Sequence, residues 1–65
     1  MSVLVEMQVY VITHRAFPNR FVWASSIQKA HEFAKGLYPA DSFSVRSPLP
    51  KEWDSLHTKK IENAG

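Results

Sequence analysis

Residues 3–13, VLVEMQVYVIT, alternate in the manner of a β-strand and are rich in β-branched side chains. Val3, Val5, Met7, Val9 and Val11 fall on one face, and Leu4, Glu6, Gln8, Tyr10 and Ile12 on the other. The odd-numbered set is wholly apolar and the even-numbered set is mixed, which assigns the odd set to the core. Residues 14–20, HRAFPNR, break the alternation with Pro18-Asn19, a pair suited to a turn. Residues 20–24, RFVWA, resume it, so the two runs read as an antiparallel hairpin, with Phe21 and Trp23 joining the valines inside.

The period then changes. From Ile27 to Tyr38, apolar residues return at helical spacing, with Ile27, Ala30, Ala34, Leu37 and Tyr38 on one face and His31 and Phe33 beside it. Gln28, Lys29, Glu32 and Lys35 occupy the far side. Ser26 is placed to cap the first turn, with Ser25 as its rival, since a serine oxygen accepts one of the unpaired N–H groups there. Gly36 weakens the last turn and Pro39 forbids its continuation. Residues 43–47, FSVRS, make a short third strand with Phe43 and Val45 inward, closed by Ser47-Pro48-Leu49-Pro50.

This pattern predicts an α+β fold, β-β-α-β, with a three-stranded antiparallel sheet in the order 2-1-3, one helix on one face and the other face open. Residues 1–50 form that single domain, and residues 51–65 form a C-terminal tail that either folds into a short helix or frays. In the tail, Trp53 is expected to pack back over apolar surface, with exposure as a partner anchor the alternative.

Composition narrows the function classes. A chain of 65 residues supports one thin core, and without cysteine it has neither disulfides nor thiolate metal ligands. The net charge of +2 comes from scattered basic residues, not from the clustered stripe of a dedicated nucleic-acid binder. The apolar start has no basic lead and is interrupted by Glu6 and Gln8, so a soluble, cytoplasmic protein that stays where it is made is expected, with no membrane partner.

His14, His31 and His57 are too widely spaced for a local chelate, no serine lies in a nucleophile elbow, and no glycine-rich phosphate loop exists. Neither enzyme activity, cofactor nor metal is expected. The expected binding surface is the open sheet face, where Tyr10, Arg20 and Arg46 project and Arg15 stands at the hairpin rim. Tyr and Arg in that setting suit a protein hot spot, and the same face offers an alternative role in stacking bases of single-stranded nucleic acid. Unpaired sheet edges leave both monomer and homodimer open.

Ala24-Ser25-Ser26-Ile27-Gln28-Lys29-Ala30-His31-Glu32-Phe33-Ala34, with Pro39-Ala40 and Phe43-Ser44-Val45 ahead of a proline, resembles the helix entry and last strand of small bacteriophage-encoded β-β-α-β accessory proteins. That group includes an inhibitor of bacterial host RNA polymerase. The likeness covers roughly residues 8–48. It implies a small inhibitor that binds and redirects a larger host protein, such as the transcription machinery, through basic residues of the last strand. Arg46 is the residue that matches them here, followed by Ser47-Pro48, and Gln28 and Lys29 stand where the group often carries acids.

Overall fold

The structure is a computed structural model that describes residues 6–64; Val3, Leu4 and Val5, assigned above to the first strand, lie outside them. Along the chain run β1 (Gln8–His14), β2 (Arg20–Ala24), α1 (Ile27–Lys35), β3 (Phe43–Arg46), α2 (Pro50–Ser55), a 3-10 turn (Leu56–Thr58) and β4 (Ile61–Asn63). The sheet order is β3-β1-β2-β4. The expected 2-1-3 order of the first three strands holds, and β1 is antiparallel to both neighbours. The sheet is nevertheless mixed and four-stranded, because β4 pairs in parallel with β2 through Phe21, Val22 and Trp23. Residues 51–65, read above as a tail, thus supply most of α2, the 3-10 turn and an edge strand. At three residues, Ile-Glu-Asn, β4 is too short to show a period of its own.

The odd-numbered Val9 and Val11 are buried as expected, but the helix lies on the other face of β1, the one expected to be open. Tyr10 and Ile12, with Val22 and Ala24 across the strand pair, lie under α1 in one buried cluster with Ala30, Ala34 and Phe43. Val9, Val11 and Phe21 make a second cluster on the opposite face, closed by Leu56 and Ile61 from the C-terminal segment. Both faces of the central strand are therefore covered, and Val9, Tyr10, Val11 and Ile12 are buried in succession. The placement of the helix has a steric reason. The helix presents alanines, which let it come close to the sheet and leave room for the large side chains of Tyr10 and Ile12. The valine face is covered instead by Leu56 and Ile61 of the C-terminal segment. Phe21 and Trp23 do share the valines' face, opposite Val11 and Val9, but Trp23 remains 40% exposed.

Ser26, not Ser25, caps α1, its Oγ accepting from Lys29 N–H at 3.3 Å. The helix ends at Gly36, whose N–H bonds to the Phe33 carbonyl at 3.2 Å, three residues ahead of Pro39. The buried stripe of α1 is Ala30 and Ala34, with Phe33 and Tyr38 packed beside them, while Ile27 and Leu37 are exposed. Trp53 also faces outward, at 53% exposure, instead of packing back.

Candidate functional site

The four residues expected to share an open sheet face do not lie together. Tyr10 is buried beneath α1, with its hydroxyl directed at Gln8 Oε1 at 3.5 Å. Arg46 lies on the opposite face, level with Val11, because successive strand residues alternate sides. Arg20 shares the Tyr10 side, opposite Ile12. Arg15 is exposed in the β1–β2 loop. The uncovered face on which they were expected does not exist, since α1 occupies one side of the sheet and the C-terminal segment the other.

Arg20 and Arg46 instead hold the fold together. Arg20 donates from Nη1 to both carboxylate oxygens of Glu62 at 2.9 Å and from Nε to the Tyr38 hydroxyl at 3.1 Å. It ties β4 and the chain beyond α1 to β2. Arg46 donates to Glu52 Oε1 at 2.7 Å and to Oε2 at 3.1 Å, a two-pronged pair. Glu52 also accepts from Leu49 N–H at 2.7 Å, so one carboxylate both closes the first turn of α2 and fastens that helix to β3.

The bonds from Arg46, helped by the Leu49 N–H and opposed by partial burial, hold the Glu52 carboxyl below its usual value. A carboxyl lowered in the folded state stabilises the fold above its unfolded value of about 4.3, and that contribution fades as pH falls through the lowered one. Arg46 is one-third exposed, and solvent screening limits the effect to about 1 kcal/mol. Thermal unfolding of the wild type and of Glu52→Gln should therefore differ at neutral pH, with the difference shrinking as the pH falls below about 4.3. A constant difference across that range would show that the ionisation of Glu52 contributes nothing to stability.

A different group of side chains is both exposed and convergent. Phe17, in the β1–β2 loop, is 54% exposed and lies 5.5 Å from Tyr38 with the two rings 18° from parallel. His14 sits against both, 4.9 Å from Phe17 and 4.6 Å from Tyr38. Tyr38 leads on to Phe43 at 6.3 Å, and Phe43 to His31 at 4.9 Å, so five rings run as a ladder from the hairpin tip to α1. The His14 ring is fixed by its Nδ1, which accepts from Ala16 N–H at 2.9 Å. The Tyr38 ring is fixed by Arg20.

Arg15 and Arg20, two of the four residues expected from the sequence, border this ladder; Tyr10 and Arg46 do not. Beside it, Thr13, His14, Arg15, Asp41, Ser42, Phe43 and Ser44 line a groove of mixed polarity. Phe17 escaped the sequence reading because it was treated as part of a turn. Its signal was an aromatic directly before Pro18-Asn19, where a loop ordinarily carries polar residues.

Chemically, the ladder offers preformed ring surface and Arg15 a cation. Among the described residues, no three His, Asp or Glu side chains gather in a metal-binding arrangement. None of the helices there is long and apolar enough to cross a membrane. The fold is thus a small α+β domain whose mixed sheet is covered on both faces. No known protein family, curated protein or solved structure matches the chain.

Proposed function

We propose that the protein is an interaction module that binds a larger protein through the aromatic end of the sheet, with Phe17 as the anchor. The observation that supports this is the half-exposed Phe17 ring, stacked on Tyr38 and backed by His14. Rigid rings with few rotatable bonds bury large areas at low entropic cost, and such residues with arginine dominate binding energy at protein interfaces. The local charge favours a protein over a nucleic acid: Glu62 neutralises Arg20, and Asp41 lines the neighbouring groove, so no cationic track follows the rings. The likeness in sequence to phage accessory proteins makes host transcription machinery the first target to test and inhibition the first effect to look for.

The test is recovery of the tagged protein from bacterial lysate, with Phe17→Ala beside the wild type. One protein recovered in stoichiometric amount, resistant to nuclease and reduced at least tenfold by Phe17→Ala, is the expected result, since truncating a central anchor costs about 2 kcal/mol or more. Because Phe17 lies outside both buried clusters, the variant should melt close to the wild type. Recovery of nucleic acid alone, or equal recovery by the variant, would remove the proposal.

A further inference from the structure

Among the described residues the sheet ends at β3, with no strand on its outer side. In an antiparallel pair, alternate residues turn their N–H and C=O groups away from the partner, so β3 offers about half of its backbone hydrogen-bonding groups to a newcomer. Beside this edge, between it and α1, lies a groove of about 430 Å³ lined by Ile27, Gln28, His31, Glu32, Lys35 and Val45. Ile27, His31 and Lys35 are spaced by four residues and form one row along the helix. Ile27 is 52% exposed, although it belongs to the stretch whose spacing marked it for burial.

The row is graded in chemistry. Ile27 begins it, with Val45 of the strand as a further apolar wall, and His31 in the middle rests its ring on Phe43 at 4.9 Å. Lys35 ends it. Glu32 approaches Lys29 at 4.0 Å, whereas Lys35 has no carboxylate partner among the described residues. An apolar wall, an unsatisfied strand edge and an uncompensated cation at one end together specify an occupant.

We infer that the groove binds an extended peptide segment of a partner protein, which adds to β3 as a fifth strand, seats an apolar side chain against Ile27 and Val45, and carries an acidic residue to Lys35. This is strand addition, in which backbone bonds supply affinity and alternate side chains supply selectivity. It rests on the reading of the chain as a protein-interaction module and names how the partner is held. His31, packed on Phe43, joins the groove to the aromatic ladder, so one partner could occupy both.

The test uses the full chain and an array of hexapeptides alternating Val or Ile with Thr, each made with Asp, Asn or Lys at either end. Hydrogen exchange at β3 amides reports pairing. Peptides with Asp at one defined end should protect β3. N-methylation at every second position should abolish that protection, while methylation at the intervening positions should leave it. Lys35→Glu should weaken binding roughly tenfold and shift preference to the Lys-ended peptides.

Protection without period-two sensitivity, or no effect of Lys35→Glu, would overturn the proposal. So would protection that grows with protein concentration in the absence of peptide, since a second copy would then fill the edge. If no peptide protects β3 while Phe17→Ala still abolishes capture of a protein partner, strand addition fails and the interaction reading stands. If neither a peptide nor a partner binds, both fail.

Discussion

A chain ending at Leu49 should fail to fold, although it contains every element of the β-β-α-β pattern that the sequence displays most plainly. The deletion removes Leu56 and Ile61, which close the cluster of Val9, Val11 and Phe21. Returning three such side chains to water costs about 1.5–3 kcal/mol each, against the roughly 3–5 kcal/mol that a single core of this size supplies. Two further attachments are lost with it, since Glu62 and Glu52 are the partners of Arg20 and Arg46. Removal of β4 also bares the edge of β2, next to Trp23 and Phe21, and an apolar unpaired edge invites aggregation. Circular dichroism and size-exclusion chromatography of the truncated chain should show unfolded or aggregated material. A soluble truncation with a cooperative melt would mean that the C-terminal segment is an accessory and that one covered face is enough.

The elements that carry a strong period or a specific cap could be read from the sequence, and those that depend on partners distant in the chain could not. The hairpin, the Ser26 cap, the end of α1 before Pro39 and the inward Phe43 and Val45 all follow from local chemistry, and the structure places them accordingly. The side of β1 that faces the helix did not follow, because the valine face and the Tyr10–Ile12 face are both buried. A run of four buried residues in a central strand demands two covers. Only one was assigned, since Leu56 and Ile61 sit among Lys, Asp, Glu and Thr, and sharing a helical side with Trp53 does not decide whether the tail packs or frays.

The same blindness displaced the candidate site. Arg20 and Arg46 were read as free cations because Glu62 and Glu52, 42 and 6 residues away, could not be seen as their partners. Tyr10 was read as exposed because its strand neighbours Gln8 and Glu6 are polar. The aromatic ladder draws on the β1–β2 loop, β1, α1, the chain beyond it and β3, so no single window of sequence contains it.

Replacing Ile12 by alanine should lower stability by about 2–5 kcal/mol, the range for deleting most of a fully buried side chain. Ile12 is 1% exposed, lies under α1, and stands on the central strand between Arg20 of β2 and Val45 of β3. Two strands and a helix meet at this side chain, so the cavity left behind could close only by distorting all three. Ile27→Ala provides the contrast. Periodicity placed Ile27 on the buried face of α1, yet it is 52% exposed, and its replacement should cost no more than about 0.5 kcal/mol. Denaturant unfolding of the two variants compares one residue type in two environments. The expected order, a large loss for Ile12 and almost none for Ile27, requires that α1 press its alanines on the Tyr10–Ile12 face. The reverse order would require the helix to turn Ile27 inward, which would close the groove beside β3 and bury the side chain on which strand addition depends.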